Sequence, residues 1–380
     1  MRNRVIALVS NNISTDQRLI KVGTTLQNHG FQFLLIGIHH RGNPNLDHVP
    51  FQTKRIPIFF NKNFPFYAEL QFRFFWELLK ISKKNSIILA NDLDTLIPAK
   101  IISILFNVPL VVDFHEIYSE MPSLKEGSIQ KKVWKFFERK FVPGLKNTST
   151  VSESYANWFK KEYAIEPKVL KNVPFLYEFH NEEEISDKKI VLYQGAINPS
   201  RGIDKMILAM KYIDNTDLWI AGDGSLLSQY KKLAMDNGVG TKVKFLGRVS
   251  PVELKRITQK ADLGLSLEED NGLSYRYALP NKIFDYIHAG IPILGSCDLP
   301  EVKKIIYDYQ VGDVIENHDP EHIAIKIKNL LLTGKDSFFD ALKIAAKDLN
   351  WENQEKELIQ IYKKIQNSQI ESGFSTGHKI

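Results

Sequence analysis

The feature that most limits how this chain can fold is an alternation of short β-branched, apolar runs with amphipathic stretches, and it occurs twice. Val5 to Val9 reads as a first strand. Asp16–His29 follows as a helix with Leu19, Val22 and Leu26 on one face, Gly30 stops it, and Phe33–Ile38 is the next strand. Ser86–Ala90, Asp94–Phe106 and Leu110–Asp113 repeat the pattern as strand, helix and strand. Such switching between periods implies right-handed βαβ units and a parallel sheet.

The rhythm restarts after a charged, loop-like stretch, Glu182 to Lys189. Lys189–Gln194, Leu218–Ala221, Lys242–Leu246, Asp262–Leu267 and Ile291–Gly295 read as strands. Ile203–Tyr212, Pro251–Lys260 and the run from Ile283 to His288 read as helices among them. The expected organisation is α/β with two doubly wound, Rossmann-like domains facing each other, residues 1–178 and 188–350. A final amphipathic helix covers 351–365, and a polar tail, expected to be disordered, covers 366–380. Ligands of such sheets bind outside the carboxyl ends of the strands.

Composition narrows the class. An apolar fraction of 43% and a charged fraction of 25% are those of an ordinary globular protein. A single cysteine, Cys297, permits no intramolecular disulfide and suits a reducing compartment. The apolar run at Val5–Val9 is too short for a secretory signal. Leu96 to Val112 is interrupted by Lys100, Asn107 and Pro109, which argues against a membrane span. The expected location is the cytoplasm, or the cytoplasmic face of the inner membrane.

Charge is uneven: residues 1–180 hold 24 Lys+Arg against 15 Asp+Glu, whereas the rest hold 26 against 29. A basic first half fits an anionic partner such as a membrane surface, a nucleic acid or a phosphorylated substrate. No nucleic-acid recognition motif accompanies it, so nucleic acid is not an expected partner. Two basic segments are rich in aromatics: Phe59–Lys84, with Phe64, Phe66, Tyr67, Phe72, Phe74, Phe75 and Trp76, and Lys131–Lys146, with Trp134, Phe136, Phe137 and Phe141. Either they lie on an anionic bilayer, or their aromatics are core and only the basic face meets water.

Three stretches carry chemistry. Tyr193 to Lys205 reads as strand, loop and helix, with Gly195, Gly202, Arg201 and Lys205 placed to meet a phosphate, or simply shaping a loop. Leu218 to Gly224 ends a strand in the turn Gly222-Asp223-Gly224. Pro280 to Pro292 opens a helix with Asn281, Lys282 and, three residues on, Asp285. Lys282 and Asp285 could hold a diphosphate and a ribose diol, or could be an i,i+3 surface pair. Asp92-Leu-Asp94 has the Asp-x-Asp form that binds divalent ions elsewhere, but Asp94 is expected to cap the following helix, with no metal required.

Together these stretches resemble the GT-B-fold retaining glycosyltransferases, specifically glycosyltransferase family 4 (glycosyl transferases group 1). The likeness covers nearly the whole chain. Arg201-Gly202 stands for the phosphate-holding Lys-Gly and Ala221 to Gly224 for an Ala-Gly-Asp-Gly turn. Val243 to Val249, with Gly247, Arg248 and Val249, stands for the strand beside the base, and Pro280 to Pro292 for the block that grips phosphate and ribose. Asn91 to Leu96 and Asp113-Phe-His115-Glu116 match the acceptor side, where the resemblance places His115 near the transferred sugar. It implies a last helix that crosses back onto the first domain.

The resemblance implies a nucleotide-sugar donor, a glycan or lipid-linked acceptor, no cofactor, and front-face attack in which the leaving phosphate takes the acceptor proton. Arg201, Lys205 and Lys282 would bear the charge on the leaving group, and Asp285 the ribose. Three positions depart from the family pattern. Ala196 replaces an Arg, Ser10-Asn11-Asn12 replaces a Gly-Gly turn, and eight residues before Asp285 stands Tyr277 in place of a Glu, for which Glu268 or Glu269 could substitute. A nucleotide-sugar 2-epimerase of the same fold and a non-catalytic pseudo-transferase are the alternatives.

Overall fold

The computed structural model describes residues 3–39, 46, 49–61, 63–177 and 188–374. The chain forms two compact units, Met1–Lys171 with Gln354–Ile380, and Asn172–Asn353.

In the first unit the strands are β1 (Arg4–Leu8), β2 (Gln32–His39), β3 (Gln52–Pro57), β4 (Ser86–Asn91), β5 (Leu110–Phe114), β6 (Asn147–Thr150) and β7 (Lys168–Val169). All pair in parallel in the order β3-β2-β1-β4-β5-β6-β7. The helices are α1 (Gln17–Asn28), α2 (Asn63–Ile81), α3 (Leu93–Phe106), α4 (Ile129–Phe141) and α5 (Glu153–Tyr163). Strand order reverses between β1 and β4, so the crevice of this unit lies where those two strands end.

The second unit repeats the scheme with β8 (Lys189–Gln194), β9 (Thr216–Ala221), β10 (Val243–Gly247), β11 (Leu263–Ser266), β12 (Ile293–Gly295) and β13 (Gly312–Val314). Their order is β10-β9-β8-β11-β12-β13, again parallel, with the reversal between β8 and β11. Its helices are α6 (Ile203–Ala209), α7 (Leu227–Asp236), α8 (Pro251–Lys260), α9 (Leu273–Arg276), α10 (Lys282–Ala289), α11 (Pro300–Tyr309), α12 (Pro320–Thr333) and α13 (Phe339–Asp348). Alternate residues of β8 serve two cores: Val191 and Tyr193 on one face, Ile190 and Leu192 on the other. That double burial is why the strand reads as a continuous apolar run.

The last helix, α14 (Trp351–Phe374), starts in the second unit and continues in the first. There Tyr362 packs edge-to-face on Phe31 at 5.7 Å, and Thr25 donates to Glu355. The helix runs nine residues beyond the expected end at Ile365, into the stretch expected to be disordered. Extending an existing helix costs little where no proline intervenes. Residues 375–380 of the expected tail, and 178–187 of the expected linker, lie outside the described residues. Asn172 to Tyr177 join the second unit, where Trp351 donates its backbone N–H to the Pro174 carbonyl.

Two local features bear on the first unit's crevice. Pro98 lies inside α3 and has no N–H for the Asp94 carbonyl four residues back. Gln71 of α2 supplies the missing donor at 2.5 Å. β6 is wholly polar, yet Thr148, Ser149 and Thr150 are buried: Ser149 donates to Asp113 and Thr150 to the Phe114 carbonyl, while the Thr148 hydroxyl has no hydrogen-bond partner among the described residues.

Candidate functional site

The second unit gathers its cations where β8 and β11 end. Gly195 follows β8 with φ +137°, and its N–H donates to the Ala221 carbonyl. Gly202 caps α6 at φ +68°, with the space for a Cβ taken by the Leu267 carbonyl, 2.1 Å away. Gly222 has φ +152° and the Gly195 carbonyl 1.9 Å from where a Cβ would stand. Only glycine fits this triple approach of backbones, so the loops after β8, β9 and β11 lie against one another.

Into this cradle projects a buried charge cluster. Glu268, 1% exposed, accepts from Lys282 Nζ at 2.6 Å and from Ser266 at 2.6 Å, and Arg201 Nη1 lies 3.8 Å from the same carboxylate. Burial would raise the Glu268 carboxyl, but Lys282 outweighs it and holds it below the usual range. Burial also lowers Lys282, against the pull of Glu268. The ammonium stands 3.9 Å from the Tyr193 ring centre, and the Arg201 guanidinium 4.9 Å from that of Tyr275. Arg201 Nε is buried without a hydrogen-bond partner among the described residues.

Lys282 and Asp285 share the first turn of α10 without pairing. Asp285 accepts from Gln194 Nε2 at 2.7 Å, and Gln194 accepts from Thr258 at 2.8 Å. Lys205, in the first turn of α6, pairs with its neighbour Asp204 at 2.8 Å, and that hydrogen bond raises its pKa. Asp223 turns its carboxylate onto the Gly224 N–H, while its carbonyl accepts from Ile197. Gly247 ends β10 at φ +72°, Arg248 is exposed, and Val249 packs on the core beside β10. Asn281 is exposed at the N-cap of α10 and makes no side-chain cap. Of the two carboxylates proposed to replace the missing Glu, Glu268 is the one brought to Lys282 and Arg201, whereas the Glu269 charge acts on Lys205 and its N–H donates to the Ser200 carbonyl.

The first unit assembles a cluster of opposite sign where β1, β4 and β5 end. His115 lies between two carboxylates: Nε2 is 2.9 Å from Asp113 and Nδ1 3.4 Å from Asp92. Burial would lower the imidazole, but Asp92 and Asp113 raise it to about 9, so it is an imidazolium at neutral pH. Asp113 also takes a bidentate grip from Arg18, at 2.7 and 2.9 Å. Although burial opposes ionisation, Arg18 and then His115 hold Asp113 well below the carboxylate range. Glu116, exposed beside His115, presents its backbone N–H toward Asp92 at 3.4 Å.

Asp94 corrects one expectation. It does not cap α3: the helix starts at Leu93, Asp92 holds the N-cap position, and neither the cap nor Asp94 bonds the helix N–H groups that way. Asp94 accepts instead from the Ser10 hydroxyl and from Tyr118, and burial still pushes its carboxyl up to about 6. Asp92 adopts φ +64°, a glycine-like conformation, with its N–H on the Asp113 carbonyl and its carboxylate on the His115 N–H at 2.6 Å. Burial pushes Asp92 up to about 7 despite the opposing His115.

Sequence reasoning missed Arg18, Ser10, Tyr193, Tyr275 and Gln194. Arg18 had a signal: it sits four residues before Val22, on the apolar face of α1, where an arginine is retained only if paired. The tyrosines carried none, since their role depends on which loops meet.

Two parallel, Rossmann-like sheets in one chain, each with a polar cluster at its strand-order reversal, define the GT-B class of fold. Residues 177–347, within the second unit, match the model of the family described as glycosyl transferases group 1. An uncharacterized glycosyltransferase of Methanocaldococcus jannaschii is 29% identical over 185 residues, 47% of this chain and 45% of that protein, so the match spans less than half of that relative's length. Among solved structures, sucrose-phosphate synthase of Thermosynechococcus elongatus superposes with a TM-score of 0.81 at 15% identity, over 97% of this chain and 100% of that one. Anabaena HepE in complex with UDP-glucose gives 0.73 at 14%, over 95% and 99%. At these identities the structures speak for the fold. Among the described residues no helix is long and apolar enough to cross a membrane.

Proposed function

We propose that this chain is a retaining glycosyltransferase, using a nucleotide-diphosphate sugar held by the second unit and a glycan or lipid-linked acceptor at a membrane surface, in surface polysaccharide or glycolipid synthesis. One observation carries the reading. Arg201 and Lys282 share a single buried carboxylate at the end of β8 and β11, two cations to one acid, leaving an excess of positive charge for a diphosphate. The matched family and the UDP-glucose complex of HepE support the same donor class.

In the reaction the bond from the anomeric carbon to the diphosphate oxygen breaks, with its electron pair leaving on that oxygen. The acceptor hydroxyl bonds to the same face of the carbon, and its proton passes to the departing phosphate. The protein's part is electrostatic: Lys282 and Arg201 stabilise the growing phosphate charge, and Asp285 accepts from the ribose hydroxyls. His115, already protonated between Asp92 and Asp113, cannot serve as the base near neutral pH. Its two N–H groups face Asp113 and Asp92, so its part is to hold that acidic cluster in place, and a mechanism in which the departing phosphate takes the proton asks no base of it.

The test is thermal unfolding with UDP, GDP, ADP and CMP in EDTA, for the natural protein and Arg201→Ala. A ligand that binds only the folded state at 100 times its Kd adds about 2.7 kcal/mol. We expect one nucleoside diphosphate to stabilise the natural protein and to lose that effect in Arg201→Ala. Stabilisation by none of the four removes the donor site.

A further inference from the structure

The first unit carries an exposed surface that the transfer reaction does not use. Along α2, Phe64, Phe72 and Trp76 recur at multiples of four residues and face outward, opposite the buried Leu70, Phe74 and Leu78. Phe64 is 72% exposed, and Ile104 at the end of the neighbouring α3 is 72% exposed, with Leu105 beside it also exposed. α2 packs along α3 and α3 against α4, and Tyr67 of α2 meets Trp134 of α4 edge-to-face at 4.9 Å. The inward aromatics of both basic segments are therefore core, and only a subset looks out.

The charge on that layer is one-sided where α4 faces water. α4 has five Lys and Arg and one acid, Glu138, which is turned inward onto the Ser119 N–H and the Tyr163 hydroxyl. Its outward positions are Ile129, Lys132, Phe136, Arg139 and Lys140, with the Lys140 ammonium 5.7 Å from the Phe136 ring centre. Ahead of α2, Phe59 is 83% exposed yet held: Glu69 accepts from the N–H groups of Phe59 and Phe60, and Arg73, paired with Glu69, lies 5.0 Å from the Phe59 ring centre. A fixed turn that presents aromatic rings to water is costly for an isolated surface.

We propose that the outer face of α2, α3 and α4, with the Phe59–Phe60 turn, docks on an anionic lipid surface. Aromatic rings settle at the headgroup level, apolar side chains enter the acyl boundary, and the α4 cations meet the lipid phosphates. Cations without outward acids on α4 favour this occupant over a second copy, whose identical face would repel. The proposal specifies the membrane contact in the reading above but does not rest on sugar transfer.

The test is co-sedimentation of the full chain with vesicles of phosphatidylcholine alone and with a quarter phosphatidylglycerol, at low and at 0.5 M salt. Nucleotide-dependent stabilisation is followed in parallel. We expect binding to the anionic vesicles only, weakened by salt, and reduced at least about tenfold both by Lys132→Glu/Lys140→Glu and by Phe64→Ser/Phe72→Ser/Trp76→Ser. Nucleotide stabilisation should persist in both variants, so failure here is distinct from failure of the transferase reading. The proposal is overturned if the folded natural protein ignores anionic vesicles, or if the charge variant binds them as well as the natural protein does. It is equally overturned if the Phe/Trp variant instead abolishes a concentration-dependent dimer.

Discussion

The crevice ends of the two sheets make an informative pair. Each lies at a reversal of strand order, reached by the loops that follow the first strand of its unit and the strand paired beside it across the reversal. In the second unit two cations, Lys282 and Arg201, share one buried acid, Glu268. In the first, Asp92, Asp94, Asp113 and Glu116 surround His115 and Arg18. The same architecture is thus used with opposite sign, as the proposed diphosphate at one and sugar hydroxyls at the other require. Fold supplies the position, and a handful of loop residues supply the chemistry.

The contrast is broken most directly at Lys282. Replacing it with Met leaves the buried Glu268 charge with the Ser266 hydroxyl and, 3.8 Å away, Arg201, and should cost about 3 kcal/mol in urea unfolding. Lys282→Met/Glu268→Gln should recover most of that stability but not nucleotide binding. A cost below about 1 kcal/mol for the single change would mean that the pair is not buried as described. Next in size, Arg201→Ala should lower turnover at least about tenfold, roughly 1.4 kcal/mol. An unchanged rate would take Arg201 out of the site.

The smallest effect sharpens the acidic side. The His115 pKa is about 9 in the folded protein, against ~6.5 for an unperturbed histidine. Below about pH 6.5 both states hold the proton and the stabilising contribution is full. As pH rises through about 9 the folded state loses its proton and the contribution disappears. The melting-temperature gap between the natural protein and His115→Gln should therefore narrow from pH 6 to 9.5. A gap independent of pH would show that Asp92 and Asp113 do not hold an imidazolium.

Much of the fold was legible because burial writes a period into the chain. β1, β4 and β8 announce themselves as apolar runs, and Gly195, Gly202 and Gly222 mark loops where backbones must approach. β6 was not legible: Asn-Thr-Ser-Thr has no apolar signal, and what ties it to β5 beyond the sheet ladder are the Ser149 and Thr150 hydroxyls, whose partners lie far back in the chain. The site was legible in part. Arg201, Lys282 and Asp285 could be named from motif order, but the carboxylate that organises the two cations could not be assigned between Glu268 and Glu269, which are adjacent in sequence.

By itself, then, the sequence determined two α/β units, the order of their polar loops and the residue types those loops bring. These depend on local propensity and periodic burial, which neighbouring residues encode. Tertiary structure alone decided that Glu268 joins Lys282 to Arg201, that Asp94 accepts from Ser10 rather than capping a helix, and that Phe64 and Trp76 look outward while Phe74 is core. Each of those depends on partners far along the chain or on which side of a helix meets the sheet. Burial of a charge or an aromatic ring is a property of the surroundings that folding assembles, not of the residue.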